Sequence, residues 1–426
     1  MRQAIAFSFF AALSFAALNF APAEAAGPGP ESLAARELLT PASHSVALAL
    51  AAMASKPVAA ESKPVAPVAA GSSPEFARLS EVSLAANPRA AAAARAVRES
   101  DARLAALDAQ VRATPDLASD DAAVIRLDRA YAAEISRRDA VLAGVNDLLV
   151  PGARVPSGSV VSIDDAAFDP VAVKLGMRDP AAWHARIGGG IYLLEPFSAE
   201  KAVVLLVHGM NGSPRDFREI IGSLDRTRYQ IWVAYYAAGD EIRTSAEGVG
   251  GAIAQLLAKY PTRQVAVITH SLGGTVWRAR ELFASTSGVA GTDPRISAIY
   301  TLCAFHRGVH FRPLPAVRLA CRLLYRWLPV YVDDIMEGSP FMMKLAKAPV
   351  PSGVRRSAGG FGHNHLWYRD LVGSFIPGPD DGLVPLSSTK WEGSADYRTY
   401  DADHVTMLEI PPVLSQLSAW LSADVR

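Results

Sequence analysis

Between residues 200 and 302 the chain alternates short apolar runs with longer stretches of helical character. The runs are Val203–His208, Gln230–Tyr235, Val265–His270 and Ile296–Leu302, each bounded by turn residues. Apolar runs of this length, too continuous to be half-exposed, predict strands buried on both faces of a parallel sheet. Asp396–Tyr400 reads as a further strand. The texture from about 151 onward therefore predicts an α/β fold, a mostly parallel central sheet flanked by helices. Upstream the pattern changes period. Val124, Leu127, Tyr131, Ile135, Leu142, Val145 and Leu149 recur at three- and four-residue steps, and Val97, Leu104, Leu107 and Val111 form an earlier stripe. Thr114-Pro115 breaks the first stripe and Ser119-Asp120-Asp121 starts the second. A helical hairpin over 88–150 follows, with no strand-like run inside it. There is no internal repeat.

The remaining segments complete the organisation. Residues 1–25 have Arg2, an apolar run from Ala4 to Leu18 and the small-x-small site Ala23-Glu24-Ala25. They predict a cleaved export signal, because the run falls short of the roughly 20 residues that span a bilayer. Export places the protein in the periplasm or outside the cell. Residues 26–87, rich in Ala, Pro and Ser, predict a linker that buries little surface. Residues 151–426 form the expected catalytic domain. A chain of 426 residues, 50% apolar, supports such a domain with material to spare. Lys plus Arg and Asp plus Glu each number 42, so no net field favours nucleic acid. The two cysteines, Cys303 and Cys321, either form a disulfide in an oxidising compartment or pack as buried thiols.

The candidate chemistry centres on Val265-Ala-Val-Ile-Thr-His-Ser-Leu-Gly-Gly274. A buried strand runs into Ser271, and a helix opens at once near Leu272. That junction forces a tight turn which lifts the serine hydroxyl above the sheet, and its neighbours must be small. This is the nucleophile elbow, with Thr269 standing where the first glycine of G-x-S-x-G is usual. A second strand, Val203–Val207, runs into His208-Gly209-Met210-Asn211-Gly212. Such a loop supplies one backbone N–H of an oxyanion hole, the residue after the nucleophile supplying the other. Those donors are Met210 and Leu272.

On these motifs, residues 187–422 resemble the α/β-hydrolase superfamily, and within it the bacterial lipases and esterases. Phe305-His306-Arg307-Gly308, Gly338-Ser339-Pro340-Phe341 and Asp381-Gly382-Leu383-Val384-Pro385 extend the likeness. The resemblance implies ester hydrolysis without fixing the substrate. In this fold the triad follows the chain order Ser, acid, His. Of nine histidines only His404 lies beyond residue 365, so it is the expected base. The acid falls in Pro377-Gly-Pro-Asp-Asp-Gly-Leu-Val-Pro385. Asp381 fits the Asp-Gly-x-Val pattern of the lipases it resembles, with Asp380 as a competitor. Asp401 and Asp403 lie too close to His404 and are expected to shape its loop; His208 and His270 are expected to be structural.

His363-Asn364-His365 has the look of a metal pair that a divalent ion could join to Asp380, but without a clear third and fourth ligand the signal is weak. Residues 309–347 predict an inserted lid. Val317, Cys321, Leu324 and Leu328 share one helical face, and Arg318, Arg322 and Arg326 an adjacent one, which suits a lipid surface or an ordinary packed helix. The reading is an exported ester hydrolase acting on an ester or lipid, with no cofactor. The alternatives are an acyltransferase on the same scaffold and a catalytically silent binding or assembly protein.

Overall fold

The computed structural model describes residues 73, 75, 78–79, 87–113, 121–150, 152, 154–287, 293–309, 330–331, 333–348, 350, 353–362, 376 and 378–425. The expected signal, nearly all of the linker, the basic stretch of the lid, Cys321, His363 and His365 lie outside these residues. The described parts form two units, one ending at Leu149 and one beginning at Val150.

In the first unit, helix α1 (Pro88–Ala113) packs along helix α2 (Asp121–Ala143). The stripe read from sequence is the seam between them. Leu104 of α1 and Ala123, Leu127, Tyr131 and Ile135 of α2 make one buried cluster, with Leu107 and Val111 packed against it. Arg103–Glu134 and Arg138–Asp101 pair across the hairpin. Long alanine-rich helices are marginal alone in water, so this seam is what holds them.

The second unit is built on a seven-stranded sheet. Its strands are β1 (Gly190–Leu193), β2 (Ala202–Val207), β3 (Tyr229–Tyr235), β4 (Val265–His270), β5 (Ile296–Leu302), β6 (Val354–Gly360) and β7 (Asp396–Tyr400). Their spatial order is β1-β3-β2-β4-β5-β6-β7. Only β1 runs antiparallel, against β3; every other pairing is parallel. The central strands are apolar throughout because both faces are covered: every residue of β3 and β4 is buried. At the edge, β7 carries Asp396 and Arg398, charges that discourage a further strand from adding there.

Four helices matter for the site: α3 (Ile242–Lys259), α4 (Leu272–Ser287), α5 (Pro340–Ala346) and α6 (Pro411–Asp424). Helix α3 buries Ile242, Ala246, Val249, Ile253, Leu256 and Leu257, a three- and four-residue repeat that gives it one apolar face. That helix packs along α4, and α4 packs on β2 and β4. Trp420 of α6 lies against Tyr300 of β5, with ring centroids 5.5 Å apart. The described end of the expected lid is part of this packing: Tyr331, Ile335, Met342 and Leu345 are buried, and the Tyr331 hydroxyl donates to the Ala238 carbonyl at 2.7 Å. No helix among the described residues is long and apolar enough to cross a membrane.

Candidate active site

The elbow, the oxyanion loop and the segments of Asp381 and His404 converge at the carboxyl ends of the parallel strands. This is where open α/β sheets place their sites. Strand β4 ends at His270, and α4 begins at Leu272. Between them Ser271 adopts φ 52°, a left-handed value that side chains disfavour. Its N–H donates to the Leu302 carbonyl at 2.9 Å, which pins the strained turn to β5. The two glycines that follow are needed for close approach. A Cβ on Gly273 would overlap the Val207 and His208 carbonyl oxygens, and one on Gly274 would overlap the Ala304 Cβ. Gly274 also accounts for Thr269: the buried threonine hydroxyl would lie 3.1 Å from a Cβ at 274, so the missing side chain there leaves room for this one.

His404 lies in the loop after β7 and Asp381 in the turn that follows β6, each buried. His404 Nε2 is 2.8 Å from Ser271 Oγ, and His404 Nδ1 is 2.8 Å from Asp381 Oδ2. The carboxylate that meets the ring is thus that of Asp381. Its other oxygen accepts the N–H groups of Leu383 (3.0 Å) and Val384 (2.8 Å), and its carbonyl accepts the His404 N–H at 2.9 Å. Asp380 uses Oδ1 to accept the Gly382 N–H at 2.7 Å and so shapes the turn. Burial pushes the Asp381 carboxyl up, but His404 and the donors around it outweigh that and hold it below the ordinary carboxylate range. Asp403 caps the next turn, accepting from Val405 N–H (2.9 Å) and Thr406 N–H (2.8 Å).

After β2 the chain turns through Asn211 at φ 52° into a capping box made by Ser213 and Asp216. Among the described residues, neither the Met210 nor the Leu272 N–H has a hydrogen-bond partner. Two unspent backbone donors on adjoining loops are what a developing oxyanion requires. The loop is braced from beneath by His208. Its Nδ1–H donates to the Gly209 carbonyl (2.9 Å), its Nε2 faces the Tyr236 N–H (3.4 Å), and the Tyr236 hydroxyl donates to the His208 carbonyl (2.6 Å). Sequence alone offered no sign of Tyr236, whose role depends on two strands being neighbours.

Cys303 is a buried free thiol in the turn after β5, at φ 50°. Burial, then the nearby Asp381 carboxylate, push it well above its ordinary value, so it stays protonated. Among the described residues, Cys303, Asp381 and His404 are the one group whose ligand atoms lie within 4.8 Å of each other, yet the last two already bond each other. A crevice of about 640 Å³ between Arg154–Ser157, Gly188–Gly190 and α3 includes none of the triad candidates.

Burial holds three imidazoles neutral, pulling His208 from 6.5 to about 4, His270 from 6.5 to about 3, and His306 well below 6.5. All three folded values lie below the unfolded one. The unfolded chain therefore binds protons that the folded chain does not, and stability present above about pH 6.5 is lost as pH falls towards 4 and below. Burial also raises the Asp216 carboxyl from 3.8 to about 7, which works the other way over this interval, but one group does not offset the histidines, and melting temperature is expected to drop between about pH 6.5 and 4.5. A flat profile across that interval contradicts neutral burial.

The strand order, the single antiparallel edge and the strained serine turn define an α/β-hydrolase fold. No protein-family model matches the chain, and no curated protein matches it. Among solved structures it is similar to a Bacillus licheniformis lipase in its mature form, at 14% identity and a TM-score of 0.40, over 54% of this chain and 97% of that one. It is also similar to a metagenomic carboxyl esterase at 13% identity and a TM-score of 0.35, over 67% and 99% of the two chains. An esterase from Lactobacillus rhamnosis matches at 13% identity and a TM-score of 0.35, over 72% and 95%. The fold assignment rests on this chain's own topology.

Proposed function

We propose that this protein is an exported serine hydrolase that cleaves carboxylic esters through an acyl-enzyme on Ser271. The observation that carries the reading is the continuous line from Asp381 Oδ2 through His404 to Ser271 Oγ, two contacts of 2.8 Å, with two unspent N–H groups beside the serine. The hydroxyl proton passes to His404 Nε2 as Oγ attacks the ester carbonyl. Met210 N–H and Leu272 N–H hold the oxyanion, and Asp381 stabilises the imidazolium. His404 then protonates the departing alcohol. Water, deprotonated by the same imidazole, attacks the acyl-serine and releases the acid, and Oγ recovers its proton. These steps use no cofactor. Exposed apolar side chains on the loops around this end of the sheet, Met210, Phe361 and Val405, favour an acyl chain over a charged substrate. The basic and apolar stretch 317–328 of the expected lid is proposed to meet a lipid surface, and residues 1–25 to direct the chain to the periplasm or the medium.

The test is a panel of esters of increasing acyl length, with and without added alcohol. Free acid as the main product supports a hydrolase; a new ester in the presence of alcohol identifies a transferase instead. No turnover on any ester contradicts the reading.

The helical hairpin contributes no group to these steps. A chain of residues 151–426 holds the whole triad and both oxyanion donors, and is therefore expected to keep the turnover of short soluble esters within about threefold. A folded, soluble but inactive product contradicts this.

A further inference from the structure

His270 is the residue immediately before Ser271, and the proposed chemistry leaves it without a part. It is buried at the end of β4. Its Nε2 lies 2.8 Å from the main-chain carbonyl oxygen of His404, and the two rings lie 4.9 Å apart at 47°. On its other side the oxyanion loop closes down, leaving no room for a side chain at Gly209: a Cβ there would stand 3.2 Å from His270 Nδ1 and 2.9 Å from the Ser271 Cβ. One ring thus touches the nucleophile's turn, the oxyanion loop and the base's loop.

Hydrogen bonds hold the His404 main chain at both its N–H and its carbonyl. Its N–H is taken by the Asp381 carbonyl, and its carbonyl by His270 Nε2–H. The first bond ties the base to its acid. The second ties the base to the nucleophile's own strand, and so sets how far His404 Nε2 sits from Ser271 Oγ. We propose that His270 is a positioning residue for the proposed ester hydrolysis, donating from Nε2–H to the His404 carbonyl and thereby fixing the base against Ser271. The inference rests on the serine-hydrolase reading above. Because burial keeps the ring neutral down to about 3, this donor persists across the working pH range and His270 takes no proton from the reaction. Misplacing reacting groups by about 1 Å costs on the order of 10²-fold, so one orienting bond has leverage on turnover.

The test exploits side-chain reach. Glutamine carries an N–H at the same distance from Cβ as histidine Nε2, whereas asparagine ends one atom short. In the full chain, His270→Ala and His270→Asn are expected to lower kcat by about 10- to 100-fold with KM little changed, and His270→Gln to recover most of that loss. The acid-side midpoint of the kcat/KM profile is expected to stay put in His270→Gln. A role in packing alone predicts that Asn and Gln behave alike, and that result overturns the proposal, as does an acid limb that vanishes in His270→Gln. The hydrolase reading is checked separately by turnover of the unsubstituted chain. If that chain turns over no ester, the proposal is decided by the far-downfield proton resonance of His404 Nδ1–H, which needs no turnover. It is retained in Gln and lost in Ala and Asn if His270 positions the base, and equal in all three if it does not.

Discussion

Ser271→Ala leaves a folded protein whose ester turnover is lower by about 10⁴- to 10⁶-fold, the usual cost of removing a nucleophile that acts as one unit with its base. The substitution deletes a single atom, Oγ, whose partner is His404 Nε2 at 2.8 Å. The turn itself survives. Its φ of 52° is as unfavourable for serine as for alanine, and it is imposed by the Leu302 carbonyl and by the close fit around Gly273 and Gly274. Neither constraint involves the hydroxyl, so melting temperature is expected to change little. A folded Ser271→Ala chain with near-parental turnover contradicts acyl transfer through this residue.

Asp381→Asn is expected to be nearly as damaging, about 10⁴-fold, with Asp380→Asn within an order of magnitude of the parent. An amide at 381 removes the negative charge that stabilises the imidazolium. It also allows its NH₂ to face His404 Nδ1, which favours the tautomer whose Nε2 carries a proton and cannot take one from Ser271. Asp380 instead holds the turn, its oxygen accepting the Gly382 N–H, and an asparagine oxygen accepts there equally well. Comparing the two variants by kcat/KM on one soluble ester checks the assignment. The reverse ranking moves the acid to residue 380.

What could be read from the sequence was whatever depends on local pattern. β4, β5 and β7 fall on the residues expected for them, and β2 and β3 are each displaced by no more than a residue at an end. These strands are legible because covering both faces leaves only apolar residues. β6 was not, since Arg355, Arg356 and Ser357 break the apolar run on both faces; Arg356 survives there by pairing with Asp424 of α6. β1 was missed because four residues at an edge make too short a run. The hairpin seam followed the predicted stripe, as two helices with one apolar face each have a single way to bury it.

The site divides along the same line. Ser271, Asp381 and His404 were identified by motif and chain order, and those residues meet in space. The Asp-Gly-x-Val pattern favoured Asp381 and kept Asp380 as a competitor; in space the carboxylate that meets the His404 ring is that of Asp381, while Asp380 turns to the Gly382 N–H. Tyr236 under the oxyanion loop and the His270 bond to the His404 carbonyl were invisible. Each joins segments that are far apart in the chain, the bonded partners standing 28 and 134 positions apart. Periodicity carries no information about such partners. Thr269 is an intermediate case: it looked like a departure from the elbow pattern, and the vacant side of Gly274 explains it.

The central claim is that Ser271 is a nucleophile activated by His404. The measurement that tests it most directly is intact mass and peptide mapping after treatment with a fluorophosphonate, which reacts with a serine only when a neighbouring base draws off its proton. One adduct per chain, located on Ser271 and absent from the His404→Ala chain, is the result predicted. An unmodified protein, or an adduct on any other residue, contradicts the account.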